Sequence, residues 1–148
     1  MKTIKLYGEE LTIRLPQEWE VYRGSLSQGL LDMHMNYIFN ADKSYIMVKR
    51  APIESDNIDQ IFEQIYGTVR FYEPCFEYIG AWKKKQNTLD IRKLEYYTMV
   101  DGNKQCHILL TFFASAKQYL LSVLCDVEEK KCQSILNAVV HSLEVLDE

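Results

Sequence analysis

The chain has 148 residues, of which 47% are apolar, 26% charged and 12% aromatic, and its formal net charge is −4. That length suits one domain, residues 1–148, with a sizeable core. The apolar and aromatic content excludes a disordered chain, and the mild acidity argues against nucleic acid, which rewards a basic face.

Leu11, Ile13 and Leu15 alternate with polar residues, so they share one face of a strand. Pro16 ends it, because proline cannot donate to a ladder. Trp19, Val21 and Tyr22 follow, and then a turn-rich stretch over 24–29. Residues 33–39 and 45–50 flank a polar turn over 40–44 and read as a hairpin. Ile58, Ile61, Phe62, Ile65, Tyr66, Val69 and Tyr72 then recur at helical spacing. Ser55 or Asp56 is placed to cap that helix, and Pro74 to stop it. A meander of strands is expected over 76–83, 89–100, 105–113 and 119–125. Its turns fall at Lys83-Lys84-Lys85-Gln86-Asn87, at Asp101-Gly102-Asn103 and over 114–118. A helix closes the chain, opened by Asp126 and Glu129 at capping-box spacing. Its apolar stripe is Cys132, Ile135, Leu136, Val139, Val140, Leu143 and Leu146.

The strand over 106–113 is apolar on both faces, so it must be covered above and below. Together with two helices separated by strands, this predicts an α/β domain: a three-layer α/β/α sandwich with a mainly antiparallel sheet. A two-layer α+β arrangement is the alternative.

The opening Leu11-Thr12-Ile13-Arg14-Leu15-Pro16-Gln17-Glu18-Trp19 and the ending over 135–143, with Ser142-Leu143, resemble the PsbP-like superfamily. The order of elements between them is similar over nearly the whole chain. That group includes the Ran release factor, DcrB-like bacterial proteins and chaperones of type VI secretion effectors. The resemblance implies a fold used mostly for holding other proteins. It carries no functional residue with it, and fold alone does not fix function.

No catalytic constellation stands out. His34, His107 and His141 lie in three different elements, and none has a second histidine at i+3 or i+4, so local zinc spacing is missing. Cys106 and His107 are adjacent on a strand and point to opposite faces, which is no dyad. A tertiary cluster of His107, Cys106, Cys125 and Cys132 is the remaining metal arrangement, against the simpler reading that the cysteines pack as small hydrophobes. Cys125, just before the closing helix, is the best-placed thiol for a nucleophile. Glu54, Asp56 and Asp59 gather where a helix begins, which capping and the dipole already explain. No glycine pattern cradles a nucleotide. The sequence therefore calls for no enzyme activity, no metal and no cofactor.

Ten tyrosines are the one feature pointing at a partner, because tyrosine gives large contact area with a polar tip. Most are expected to rim the core. The sharper expectation is that Trp19, Tyr22, Tyr45 and Tyr96 line an apolar groove for a peptide or helix. With no apolar h-region at the N-terminus and no run of the ~20 apolar residues a membrane span needs, the chain reads as cytoplasmic. Its expected role is a protein-binding module, a chaperone or adaptor for a secreted or membrane-destined client. An immunity-type or small-ligand-binding protein is the alternative.

Overall fold

The computed structural model describes residues 2–22, 35–41, 44–73, 75–86, 89–114 and 116–126, with 134, 137–139, 141 and 144–145 near the C-terminus. A seven-stranded antiparallel sheet dominates these residues. Its strands are β3 (Glu20–Val21), β4 (Tyr37–Ala41), β5 (Ser44–Pro52), β6 (Glu77–Gln86), β7 (Leu89–Val100), β8 (Asn103–Ala114) and β9 (Lys117–Asp126). They lie in the order β3-β4-β5-β9-β8-β7-β6. A smaller sheet pairs β1 (Lys2–Leu6) and β2 (Leu11–Leu15) with β10 (Glu144–Val145). Helix α1 (Ile58–Tyr72) joins β5 to β6.

Turn chemistry sets the register. Asp101 and Gly102 both take positive φ, which closes β7 onto β8 through a two-residue loop with Val100 opposite Asn103. Such a loop matches the strand twist, so the long meander stays in register. Strand β8 is buried on both faces from Cys106 to Phe112, as its sequence requires.

The two faces are covered differently. On one, Ile46, Val48, Ile108, Leu110, Phe112, Leu121 and Val123 pack against Leu6, Leu11, Ile13, Leu15 and Trp19. That face is therefore covered by the β1–β2–β10 sheet, and buried Val139 joins the same core. On the other, Phe62 and Val69 of α1 pack on Leu94, Tyr96, Leu109 and Leu120.

Several expectations change. Strand β1 was not expected, and its pairing with β2 adds a small sheet on the face where the closing helix was anticipated; helical Val139 is in the same core. Of the closing helix, Ser134, 137–139 and His141 are helical, and Glu144–Val145 is a strand added to β2. Asp126, expected to open that helix, is the last residue of β9 and pairs with Gln105; Glu129 and the remaining residues of the stripe lie outside the described residues, as do His34, Pro74, Cys132 and the 24–29 stretch. Helix α1 is capped by Asn57, whose side chain accepts from the backbone N–H groups of Asp59 and Gln60, and not by Ser55 or Asp56. Lys83, Lys84 and Lys85 belong to β6, where pairing with Arg92, Ile91 and Asp90 carries the ladder into the expected turn as far as Gln86.

Candidate functional site

Helix α1 lies across one face of the sheet without covering it, and a cleft opens on each flank. The cleft toward β6 and β7 has a volume of about 290 Å³ and is bordered by Asp59, Phe62, Glu63, Trp82, Lys83 and Arg92. Arg92 Nε donates to Asp59 Oδ1 at 2.7 Å and its Nη1 to Asp90 Oδ1 at 2.5 Å. That hydrogen bond holds the Asp59 carboxyl below its ordinary range, and both carboxylates hold the Arg92 charge in place. Asp59 thus serves Arg92 and, at 3.7 Å, Lys83, instead of the helix dipole alone. Two carboxylates pair with the guanidinium through Nε and Nη1, so the Arg92 charge on the floor of this cleft is balanced.

The cleft toward β5 and β9, of about 250 Å³, has a different character. Its lining alternates apolar Ile61, Ile65 and Leu120 with polar Lys49, Glu54, Gln64, Thr68 and Gln118. Ile61, Gln64, Ile65 and Thr68 share one helix face by their spacing. Lys49 opposite Leu120 and Ala51 opposite Gln118 are register pairs of β5 and β9.

On the same face of the sheet, polar groups are buried. His107 stacks on Tyr96 with ring centroids 4.6 Å apart, and its Nε2 lies 2.7 Å from Thr98 Oγ1. Burial pushes the imidazole pKa down to about 4 and raises that of the Tyr96 hydroxyl. Thr111 Oγ1 donates to the Tyr119 carbonyl at 2.9 Å. The Tyr96 hydroxyl has no hydrogen-bond partner among the described residues.

The four residues expected to line one groove are separated. Trp19 is buried in the core under the small sheet and Tyr96 in the core under α1. Tyr22 and Tyr45 do meet, edge to face at 5.3 Å. Trp19 lies between β2 and β3, outside the strands, and packs on the face of the sheet opposite to that of Tyr96. Cys106 and Cys125 are buried register partners on β8 and β9, and Cys106 and His107 face opposite cores. Among the described residues no group of three or more His, Cys, Asp or Glu could hold a metal ion.

A constellation with no sequence signal sits where the Tyr7–Glu10 turn meets the main sheet. Tyr7 takes φ +53°, a strained value for a residue with a Cβ. That places its ring edge-on to Tyr37 at 4.9 Å and under the Arg50 guanidinium at 4.3 Å. The Tyr7 hydroxyl and the Arg50 backbone N–H both donate to Asn36 Oδ1, at 2.7 and 2.9 Å. Arg50 is paired with Glu10, which also accepts from the Tyr119 hydroxyl. Burial raises the pKa of Tyr7, so the network stays protonated at its phenols. Every charge has its counter-charge here, so the cluster clamps the small sheet onto the large one.

The exposed apolar residues gather elsewhere. Among the described residues strand β6 has only β7 as a neighbour in the sheet. Along it Tyr78 is 51% and Trp82 45% exposed, and Phe71, 79% exposed, and Tyr72 stand at the end of α1 that leads into it. The Trp82 ring lies over Gly80, where a Cβ would come within 2.6 Å of it, and Lys93 Nζ is 5.1 Å from its centroid.

No protein-family model matches the chain, and no curated protein sequence matches it. Solved structures do. The chain superposes on cyanobacterial PsbP from Synechocystis sp. PCC 6803 with a TM-score of 0.71 at 13% identity, covering 98% of this chain and 92% of that one. LpqN of Mycobacterium tuberculosis, described as involved in cell envelope biogenesis, gives 0.65 at 9% identity, covering 97% and 89%. PA94 of Pseudomonas aeruginosa, a putative regulator of unknown function, gives 0.66 at 10% identity, covering 100% and 99%. The fold is therefore PsbP-like, as the opening and closing segments suggested. At these identities the likeness speaks for fold alone.

Proposed function

We propose that the protein is a non-enzymatic cytoplasmic binding module that takes an extended segment of a protein partner along the β6 edge, as a chaperone or adaptor for a secreted or membrane-destined client would. One observation carries this reading: a ten-residue strand at the sheet border, bearing exposed Tyr78, Ile79 and Trp82. An unpaired edge offers a row of backbone donors and acceptors, and aromatic anchors beside it supply apolar contact. A register shift between Tyr78 and Gly80, together with Lys83, Lys84 and Lys85, works against a second copy of the same edge through shape and like charge. The same lysines suit an acidic segment. In a reducing compartment the Cys106 and Cys125 thiols stay as they are in this fold.

Capture from the native host with wild-type protein and with a Tyr78→Ser/Trp82→Ser variant tests this, followed by hydrogen exchange on the isolated complex. The expected result is a client retained by the wild type alone, with β6 amides slowed in the complex. Retention of the same proteins by both forms, or protection away from β6, overturns it. A second reading, an immunity-type or small-ligand-binding protein, draws on a separate observation, the 250 Å³ cleft between α1 and the β5–β9 pair.

A further inference from the structure

The cleft between α1 and the β5–β9 pair carries charges of both signs that the fold itself does not use. Lys49 and Glu54 both border it, and among the described residues neither forms an ion pair. This differs from the opposite cleft, where Arg92 is paired with Asp59 and Asp90. Between the charges lies an apolar wall, with Ile61 and Leu120 buried. Gln118 also lines the cleft, and its side-chain Oε1 is buried with no hydrogen-bond partner among the described residues. A buried acceptor left unpaired is unfavourable, and native folds retain few of them. A change in the Gln118 side chain that takes the whole amide out of its buried position would present that oxygen to an occupant with N–H donors.

We infer that this cleft is a binding site for a small zwitterion with an aliphatic body, of the chemical class of the free branched-chain α-amino acids. The carboxylate pairs with Lys49, the ammonium donates to Glu54 and Gln118, and the side chain rests on Ile61, Ile65 and Leu120. A volume of about 250 Å³ falls just under the ~300–1,000 Å³ of sites for drug-sized ligands, so the occupant is small. A lone anion uses Lys49 alone and a lone cation Glu54 and Gln118 alone; a molecule with both charges uses all three. The inference rests on the small-ligand reading and is independent of the β6 edge.

Calorimetric titration of the full chain with L-leucine tests it, beside isovalerate and isoamylamine, which each keep the aliphatic body and one charge. L-leucine is expected to bind with Kd in about the millimolar range or tighter, and each half-ligand at least about tenfold more weakly. Lys49→Met and Glu54→Gln are each expected to weaken leucine about tenfold or more, with circular dichroism and the unfolding midpoint showing both variants folded. Gln118→Leu separates the buried acceptor from the charges, because it weakens leucine while removing an unpaired polar atom from the fold. Half-ligands that bind as tightly as leucine, and lose affinity on Ile65→Ala, overturn the zwitterion while leaving a small-molecule cleft. Absence of leucine binding at about 10 mM, or leucine affinity unchanged in K49M and E54Q, overturns the site itself.

Discussion

The two faces of the main sheet are built to different standards. The face under the β1–β2–β10 sheet is nearly all hydrocarbon and aromatic, and at its rim the Tyr7, Arg50, Glu10 and Tyr119 groups satisfy one another. The face under α1 has a smaller core, and His107, Thr98, Thr111, Ser122 and Arg92 are buried on the sheet around it. Clefts open on both sides of its helix. The first face supplies stability; the second holds the polar groups and the space that binding needs, at some loss of packing.

The sharpest way to break that contrast is to cut into the first face. Phe112 stacks on Tyr119 at 5.3 Å on that face and is 1% exposed. Phe112→Ala is expected to lower the unfolding free energy by about 3–5 kcal/mol, since a cavity in a close-packed core collapses poorly. Urea denaturation measures this. Phe62→Ala, at the border of a cleft on the second face, is expected to cost less; equal losses mean that the faces do not differ in packing.

The next effect belongs to the second face. His107 is neutral in the fold, with its pKa depressed from 6.5 to about 4 by burial. The unfolded chain takes up a proton near pH 6.5 that the folded chain refuses until about pH 4. Stability from this group is therefore full above pH 6.5 and falls as pH drops through that window, by roughly 3 kcal/mol in all. His107→Gln keeps a partner for Thr98 and is expected to flatten that part of the pH profile. Parallel profiles for the two proteins would show that His107 is reached by water in solution.

How much of this could be read beforehand follows from the range of the forces. Strand β8 was legible because seven successive buried residues leave no other reading, and the β7–β8 turn because Asp-Gly has one favoured geometry. The stripe of α1 was legible by period. Strand β1 was not: Lys2-Thr3-Ile4-Lys5-Leu6 has two lysines in five residues, and its strand state comes from pairing with β2. The Tyr7, Arg50, Glu10 and Tyr119 clamp joins positions more than a hundred residues apart in the chain, which no local pattern reports. The separation of Trp19 from Tyr96 has the same origin, since no local pattern reports which face of the sheet the segment between β2 and β3 packs on. The two clefts beside α1 depend on where a helix settles on a sheet, which is a tertiary fact.

The smallest effect asks whether the second face is a fixed cover or a hinged one. Asn57 accepts from the N–H groups of Asp59 and Gln60 at 3.0 and 3.3 Å, and it anchors the end of α1 that carries Asp59 to Arg92. Asn57→Ala is expected to cost about 1 kcal/mol, because two helix-start donors then turn to water. If α1 folds as one unit with the sheet, the whole loss appears in the global unfolding midpoint. If α1 opens alone, the midpoint barely moves, and hydrogen exchange over Ile58–Tyr72 quickens while β8 and β9 keep their protection. The small hydrophobic contact of α1, set against the continuous ladder of the sheet, favours the second pattern. A helix that lifts on its own would open both flanking clefts at once, while the face under the small sheet stayed closed.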